Sequence, residues 1–356
     1  MPSTTAAAEP TVNTVLASVD PDDLGRTSIH EHLIIVVDHV AYQPLDTEEG
    51  RAIGEQPVSL ENRWFVRQQW TAVRDNLRLQ DEAVAIQEAA RFAAVGGSCI
   101  ADPTTDGLGR DPEALVRIAR ATGLHLVMGA GYYVHASHPA WLEDASEELI
   151  AERIEADLLE GVGPDSVKSG FIGEVGCSWP MTDRERKSLR AAGRVQRSTG
   201  APLMVHPGRN PGAPAEIVAE LDAVGTDLDR VTIAHIERTL PTPADAVALA
   251  RSGVWPSIDC FGLETAYYPL EVRTRMPNDG GRLAIIEALL DAGFGDRTLV
   301  GQDVTQKHRL TTYGGHGYDH LLRDLPTMLE ASGRGAASEL LLRDNPARFL
   351  AWSRPA

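Results

Sequence analysis

Two histidines near the start of the chain, His30 and His32, are separated by a single residue. Side chains two apart on a β-strand point to the same face, so a strand here would aim both imidazoles at one place. One metal ion could accept both nitrogens. The pair alone does not establish a metal site, because one histidine could make a hydrogen bond in the core while the other faces solvent. We expect the strand to continue through the apolar run from Leu33 to Val37.

Each of four later apolar runs ends in a side chain that could bind a metal: Glu174, His206, His235 and Asp303. Taken singly, each has an ordinary alternative. Glu174 could pair with an arginine, Asp303 could cap a helix, and either histidine could be a hydrogen-bonded core residue. Their joint occurrence favours a divalent cation, because histidine nitrogens and carboxylate oxygens are ligands that such ions take.

The elements that must position these residues follow a regular alternation. Short runs rich in valine, isoleucine and leucine alternate with longer segments of helical period, which is typical of a parallel sheet with crossover helices. Helices are indicated over 81–94 and 183–199, with Thr182 as an N-cap and with Gly123 and Gly200 where helices end. Eight strands are predicted, near 32–37, 98–102, 124–130, 170–175, 202–206, 231–235, 253–258 and 298–302. This pattern predicts an α/β fold, a (β/α)8 TIM barrel with its active site at the carboxyl ends of the strands.

The stretch from about residue 38 to residue 80 is too long for a simple connection and carries Trp64, Phe65 and Trp70. We expect a helical insertion beside the first strand. The pattern leaves open whether this insertion forms a flap over the site. The first 14 residues are predicted to form a flexible tail, and residues 15–356 a single domain.

The 356 residues include 51 acidic and 33 basic side chains, a formal net charge of −18 at pH 7. Such a surplus repels phosphate backbones and anionic lipids, so neither nucleic acid nor a membrane is an expected partner. The start of the chain lacks the basic and apolar segments of a secretory signal. Three cysteines, Cys99, Cys177 and Cys260, fit buried thiols better than a disulfide framework. We therefore expect a cytoplasmic protein.

Five motifs together resemble a known signature: His30-Glu31-His32, Gly173-Glu174-Val175-Gly176-Cys177-Ser178-Trp179, Val205-His206-Pro207-Gly208-Arg209-Asn210, Ala234-His235-Ile236-Glu237-Arg238-Thr239 and Gly301-Gln302-Asp303. They are similar to the binuclear metal signature of the phosphotriesterase family, within the amidohydrolase superfamily. The similarity is closest to the phosphotriesterase-related subgroup. It runs from about residue 15 to the final Asn345-Pro346-Ala347-Arg348-Phe349 and so covers almost the whole chain.

The resemblance implies a role for each matched residue. His30, His32 and Asp303 would bind the more buried of two divalent ions, and His206 and His235 the more exposed one. Glu174 would bridge the two ions. The better-known phosphotriesterases and lactonases carry a carboxylated lysine at this position, whereas the related subgroup has glutamate. Zinc is the expected metal, with manganese or cobalt as alternatives.

The chemistry of such a centre predicts a metal-dependent hydrolase. Two cations acidify a shared water, the resulting hydroxide attacks a carbonyl or phosphoryl group, and Asp303 carries the proton to the leaving group. The resemblance favours a small carboxylic amide or ester, with an N-acyl amino acid or amino sulfonate as the leading candidate. A lactone or phosphotriester on the same metals is a second hypothesis. A barrel that binds metal without catalysis is a third, from a different class.

Residues in the loops after the same strands are the candidates for substrate binding. Arginines near the mouth would suit a carboxylate or sulfonate, although each could instead form a structural salt bridge. The sequence leaves open whether the chain forms a homodimer. The substrate-binding candidates are Tyr132, Tyr133, Arg209, Asn210, Arg238, Arg309 and His316.

Overall fold

Eight parallel strands form the centre of the molecule in a computed structural model that describes residues 9–265 and 268–353. Each strand pairs with the next along the chain, and the pairing places Gly176 opposite His206. At the seam between the last and first strands, the Ile29 N–H donates to the Val300 carbonyl at 3.3 Å. The predicted TIM barrel is confirmed. Its strands are β1 (Arg26–Ser28), β2 (Gly97–Asp102), β3 (His125–Ala130), β4 (Phe171–Gly176), β5 (Leu203–His206), β6 (Val231–Ile233), β7 (Trp255–Ile258) and β8 (Leu299–Val300).

A helix follows each strand and covers the outside of the barrel. Thr182 and Glu185 form a capping box at the start of the fourth helix, because the side chain of each accepts the other's backbone N–H. Gly123 and Gly200 end the second and fourth helices at φ values of 73° and 78°, as expected. The eight helices are α1 (Glu82–Ala94), α2 (Pro112–Thr122), α3 (Glu147–Leu159), α4 (Asp183–Thr199), α5 (Ala213–Ala223), α6 (Pro243–Ala250), α7 (Asp279–Asp291) and α8 (His320–Ala331).

The first strand lies earlier than predicted, and the expected strand over 32–37 is wrong. Only Ile35–Val36 of that run is extended, and it pairs antiparallel with Arg78–Leu79 outside the barrel. The run is apolar because the insertion covers it, whereas β1 contains Thr27 and Ser28, which are buried but polar. Hydrophobicity here reports burial rather than membership of the sheet. His30 and His32 therefore follow β1 instead of starting the strand.

The insertion consists of three short α-helices, Asp38–Ala41, Glu48–Gly54 and Arg63–Gln68, followed by the 3₁₀ turns Trp70–Ala72 and Arg74–Leu77. Val40, Ala41 and Trp70 of the insertion line the cavity at the barrel mouth. Asp38 is held there by ion pairs of 2.7 Å with Arg74 and 2.6 Å with Arg78. The insertion thus adds a wall to the site and does not extend the sheet.

The first and last described segments meet at the opposite face of the barrel, where the Trp352 indole N–H donates to the Gly170 carbonyl just before β4. Thr11 bridges to Trp352, and Val12 is fully buried. The described chain is therefore already packed at Val12. Residues 1–8 of the predicted tail lie outside the described residues, and the division into a tail and one domain stays a prediction.

Further helical segments lie after β6 and after α8: Ile236–Thr239, Ala337–Glu339, the π-helical turn Leu340–Asp344, and Asn345–Leu350. Single 3₁₀ turns lie elsewhere in the described chain: Pro21–Asp23, His135–Ser137, Ala140–Leu142, Leu228–Arg230, Gly295–Arg297, Lys307–Arg309 and Thr311–Tyr313. In the part of the chain that the structure describes, no helix is long and apolar enough to cross a membrane.

Candidate metal centre

Six side chains meet at the carboxyl ends of the barrel strands, and all six were predicted from the sequence. Two follow β1, one lies within β4, one ends β5, one comes after β6 and one after β8. This is the face where enzymes with this architecture hold their active sites. The residues are His30, His32, Glu174, His206, His235 and Asp303.

One group of three comprises His30, His32 and Asp303. Oδ1 of Asp303 lies 3.3 Å from Nε2 of His32 and 3.7 Å from Nε2 of His30. Both Nε2 atoms are buried, and within residues 9–265 and 268–353 neither has a hydrogen-bond partner. Buried polar atoms without partners are costly. A cation among these three side chains would satisfy both nitrogens, so the residues fit a metal.

The other group comprises Glu174, His206 and His235. Oε2 of Glu174 lies 3.0 Å from Nδ1 of His206 and 3.2 Å from Nε2 of His235. Its second oxygen, Oε1, lies 3.8 Å from Nε2 of both His30 and His32. Glu174 therefore presents one oxygen to each group, as a carboxylate that bridges two ions would have to do.

Burial and neighbouring charges shift the pKa values of these groups. Burial alone would raise the pKa of Glu174, but the adjacent His206 and His30 outweigh it and hold this pKa well below its usual value. Burial likewise opposes ionisation of Asp303, and His235 leads the neighbours that lower its pKa. Burial lowers the pKa of His206 to about 3. The carboxylates are thus ionised and His206 is neutral, which are the forms that bind metals. Burial alone would lower the pKa values of His30 and His235, but Asp259 outweighs it, raising the pKa of His30 to about 9 and that of His235 well above its usual value, so both imidazoles must give up a proton when a cation binds.

Asp259 supports the centre from behind, and sequence reasoning missed it. Its Oδ2 lies 3.1 Å from Nδ1 of His30, and its Oδ1 lies 2.6 Å from Nδ1 of His235. Thr104 plays the same part for His32, with its hydroxyl 2.7 Å from Nδ1. Such partners orient imidazole rings so that the opposite nitrogen faces the metal. A signal was available, since Asp259 directly follows β7, the position that marks the predicted ligands on other strands.

Two of the six residues adopt a strained backbone. His235 and Asp303 have φ values of 52° and 50°, in the left-handed region that residues other than glycine rarely occupy. The His235 N–H donates to Oδ1 of Asp259 at 2.9 Å, and the Asp303 N–H donates to the carbonyl of His30 at 3.0 Å. These bonds hold the strained conformations, which point both side chains inward.

Gly173, the residue before Glu174, must be glycine. Its φ is 130°, and a Cβ built on it would lie 2.5 Å from the carbonyl oxygen of Met204 on the neighbouring strand. No L side chain fits that close approach. The glycine therefore lets β4 and β5 bring Glu174 and His206 together.

A cavity of about 450 Å³ opens above the six residues, and its walls differ in character. Glu174, His206 and Asp303 lie at its floor. One wall is apolar and comes from the insertion and neighbouring loops: Ile35, Val37, Val40, Ala41, Trp70 and Leu108. The other wall carries arginines on the loops after β5, β6 and β8: Arg209, Arg238 and Arg309. The cavity is of the size that small-molecule sites usually have.

Comparison with known proteins places this centre in a family. The model of the phosphotriesterase family matches residues 10–350. The chain belongs to the phosphotriesterase family. Its relatives include the N-acetyltaurine hydrolase of Bos taurus, 38% identical over 343 residues, which are 96% of this chain and 98% of the relative. The phosphotriesterase-related protein of Nematostella vectensis is 37% identical, with 95% and 97% covered.

Solved structures agree with this assignment. The resiniferatoxin-binding protein of Rhodobacter sphaeroides superimposes with a TM-score of 0.92 at 36% identity, covering 96% of this chain and 94% of that one. The phosphotriesterase homology protein of Escherichia coli gives 0.75 at 26% identity, covering 92% and 99%. The chain is accordingly a metal-dependent hydrolase of a family with binuclear centres, and the predicted resemblance to the phosphotriesterase-related subgroup is confirmed.

Five of the seven substrate-binding candidates of this phosphotriesterase-family chain line the cavity: Tyr133, Arg209, Asn210, Arg238 and Arg309. Tyr132 and His316 do not line it. The ring of Tyr132 packs edge-on against Trp141 at 5.4 Å, and His316 stacks on His320 at 4.3 Å. Neighbours in sequence point to opposite sides here, so Tyr133 faces the site and Tyr132 faces the core.

The three arginines differ in how many of their guanidinium N–H groups already donate hydrogen bonds to other protein groups. Both terminal nitrogens of Arg309 donate to backbone carbonyls, at 2.7 Å to Asp303 and 2.8 Å to Phe261. Nη2 of Arg238 donates to the Pro207 carbonyl at 3.0 Å. Among the described residues, the hydrogen bond of the Arg209 guanidinium runs from Nε to the Tyr268 hydroxyl at 3.3 Å, and no carboxylate pairs with it. Arg209 is therefore the arginine best able to bind an anionic substrate group.

Proposed function

We propose that the chain hydrolyses the amide bond of small N-acyl amino acids or N-acyl amino sulfonates. One observation carries this proposal: Glu174 stands between two groups of ligands at the floor of a cavity whose wall offers Arg209. The names of the relatives support an amino sulfonate, because several are N-acetyltaurine hydrolases. Hydrolysis of such an amide would use both the candidate metal centre and a binding site for the negative charge of the substrate.

His30, His32 and Asp303 would hold one divalent ion, His206 and His235 the other, and Glu174 both, with zinc as the expected metal. When bound, such ions supply Lewis acidity and make water a better nucleophile near neutral pH. The set offers six side chains with one carboxylate shared, more than one tetrahedral ion can use.

Asp303 is placed to move protons. Asp303 lines the cavity, and its carboxylate lies beside the imidazoles of His30 and His32. It can accept a proton from the attacking water and pass it to the departing amine, which would otherwise leave as an unstable anion. No serine or cysteine nucleophile is needed in this scheme.

Tyr133 and Arg238 supply donors at the same floor. The Tyr133 hydroxyl lies 3.0 Å from Nε2 of His206, and Nη2 of Arg238 lies 2.9 Å from the same nitrogen. Burial raises the pKa of the Tyr133 hydroxyl well above its usual value, so it stays protonated. Both groups contact His206 here, and when the carbonyl oxygen of a substrate lies beside that residue they can donate hydrogen bonds to it instead as negative charge develops.

Elemental analysis tests the metal assignment. Protein purified without chelators and saturated with zinc should carry close to two ions per chain. Because Glu174 needs no carboxylation, added bicarbonate should leave the rate unchanged. One ion or none at saturation would contradict the binuclear centre.

A side-by-side rate assay tests the reaction. We expect N-acetyltaurine and an N-acetyl amino acid to be hydrolysed faster than a γ-lactone or paraoxon. A lactone or paraoxon that reacts fastest would favour the second hypothesis. Two bound ions without turnover of any carbonyl substrate would favour the metal-binding scaffold.

The remaining predictions concern the setting of the enzyme. We propose that the protein is cytoplasmic and acts on a small molecule, and that neither nucleic acid nor a membrane is its partner. Sedimentation of the purified chain would decide whether it is a homodimer.

A further inference from the structure

Arg209 lies on a short loop after β5 whose backbone is closely packed. A Cβ built on Gly208 would lie 2.7 Å from Cβ of Trp179, on the loop after β4. On the other side of Arg209, the side chain of Asn210 accepts the N–H of Gly212 at 2.9 Å. The backbone around Arg209 is therefore fixed, and the position of the guanidinium depends on the torsions of its long side chain.

Tyr268 fixes the far end of that side chain. Nε of Arg209 donates to the Tyr268 hydroxyl at 3.3 Å, and the guanidinium carbon lies 5.5 Å from the centre of the Tyr268 ring. Both residues line the cavity above the candidate metal centre. A side chain that is already ordered loses less conformational entropy when a ligand binds to it. The contacts with Tyr268 therefore favour binding at Arg209.

Tyr268 is in turn held by the insertion. Its ring lies 5.8 Å from that of the buried Trp70, within the distance at which aromatic rings attract each other. The Trp70 carbonyl accepts from Nδ2 of Asn76 at 2.9 Å. Oδ1 of Asn76 accepts the N–H of His308, on the loop after β8, at 3.0 Å. Tyr268 thus packs on a part of the insertion that is anchored to the barrel.

The bond to Tyr268 uses Nε and leaves the two terminal nitrogens of Arg209. Within residues 9–265 and 268–353, this guanidinium makes no other hydrogen bond or ion pair. The carboxylate of Glu271, which also lines the cavity, is paired with Arg273 at 2.8 Å and 2.9 Å. Two terminal nitrogens can bind two oxygens of a carboxylate or sulfonate through parallel hydrogen bonds. Arg209 is therefore held with its bidentate edge available to an anion.

We infer that Tyr268 is a positioning residue, which orients the guanidinium of Arg209 so that both terminal nitrogens meet the anionic group of the substrate. Its hydroxyl fixes the guanidinium through Nε, and its ring packs on Trp70. Selectivity for anionic amides then depends on the loop after β7 and on the insertion as well as on Arg209. This inference rests on the proposed role of Arg209 in binding the anionic part of the substrate.

A matched pair of probes tests the inference without turnover. 1-Propanesulfonate carries the sulfonate of the proposed substrate, and methyl propyl sulfone has a similar shape without the charge. Both are titrated calorimetrically into zinc-saturated protein. Tyr268→Phe keeps the ring and removes the hydroxyl, so affinity for the sulfonate should fall roughly threefold to tenfold, as the loss of one hydrogen bond predicts. Affinity for the sulfone should not change. Unchanged sulfonate affinity, or an equal fall for both probes, would overturn the inference.

A double-mutant cycle shows whether Tyr268 acts through Arg209. In Arg209→Gln no guanidinium remains to be positioned, so adding Tyr268→Phe should cause no further loss of sulfonate affinity. An equal loss from Tyr268→Phe in both backgrounds would mean that Tyr268 acts independently, which contradicts the inference. Tyr42→Phe is the matched control, because the Tyr42 hydroxyl bonds to Glu55 at 3.2 Å but the residue does not line the cavity. The control should bind the sulfonate as wild type does.

Steady-state kinetics separates failure of this inference from failure of the proposed function. With N-acetyltaurine, Tyr268→Phe should raise KM roughly threefold to tenfold and leave kcat unchanged, whereas KM for the neutral ester phenyl acetate should stay at the wild-type value. If N-acetyltaurine is not hydrolysed but the double-mutant cycle gives the expected result, the proposed reaction is wrong and the role of Tyr268 stands. If N-acetyltaurine is hydrolysed with the wild-type KM in Tyr268→Phe, the inference alone is wrong.

Discussion

The floor and the walls of the cavity are built in different ways. The floor residues follow barrel strands, and their rings have second partners behind them, as Asp259 provides for His30 and His235. The walls come from the insertion and from loops, and among the described residues Arg209 is held there by a hydrogen bond to Tyr268. The floor is thus positioned for one kind of chemistry, whereas the walls can change without disturbing it. This separation explains how one family can share a metal centre and differ in substrates.

The largest expected effect tests the floor itself. Asp303→Asn keeps an oxygen that can touch a metal but removes the base. We expect kcat to fall by roughly 10²–10⁴ while the metal content stays close to wild type. Steady-state kinetics with elemental analysis of the same sample measures both. Wild-type kcat in this variant would mean that another group moves the proton.

The next largest effect tests the hydrogen bonds by which Asp259 orients His30 and His235. Asp259→Asn leaves a side chain of the same size that cannot accept hydrogen bonds from two imidazoles at once. We expect metal affinity to fall by roughly 10- to 100-fold, as for other partners of ligating histidines. Competition with a chelator measures it. Asp222→Asn, an exposed position on α5, is the control and should not change affinity. Unchanged affinity in Asp259→Asn would remove the supporting role.

The sequence predicted the floor of the cavity better than its walls, because the floor residues follow barrel strands and the wall residues lie on the insertion and on loops. Glu174, His206, His235 and Asp303 were identifiable because each ends an apolar run, and parallel strands bring their carboxyl ends together. The first strand was misplaced because the run after His32 is buried by the insertion. Tyr132 and His316 do not line the cavity, and the sequence could not indicate this because the direction of a loop side chain depends on contacts distant in sequence. Strand ends are therefore predictable positions, and loop walls are not.

A smaller effect tests the wall. Arg209→Gln removes a charge that would pair with a carboxylate or sulfonate, an interaction worth about 1.5 kcal/mol or more. We expect KM for N-acetyltaurine to rise roughly tenfold, with little change for a neutral ester. Arg91→Gln, on the exposed side of α1, provides the comparison. An equal rise for charged and neutral substrates would show that Arg209 acts only through structure.

The last effect leaves the reaction unchanged and concerns the free energy of unfolding, through a buried histidine next to the wall. Burial lowers the pKa of His308 from an ordinary value of 6.5 to about 3. Between these values the unfolded chain binds a proton that the folded chain does not, so this group lowers stability as pH falls from about 6.5 toward 3. The slope is at most about 1.4 kcal/mol per pH unit.

His308→Gln should therefore flatten the loss of stability in acid, as measured by urea unfolding at a series of pH values. His39→Gln, an exposed position, should keep the wild-type slope. Parallel slopes for wild type and His308→Gln would show that His308 titrates normally.

The seam of the barrel has a consequence for how the enzyme is made. The N–H groups of Gln302 and Asp303 donate to the carbonyl of His30, so the first and last strands meet at the metal centre. During synthesis, His30 leaves the ribosome long before Asp303 exists. The earlier histidines can attract ions, but no complete centre can assemble until the last strand has been translated and closes the ring. Loading of the proposed ligands with metal would therefore be a late event, and a truncated nascent chain would be released without a complete set of them.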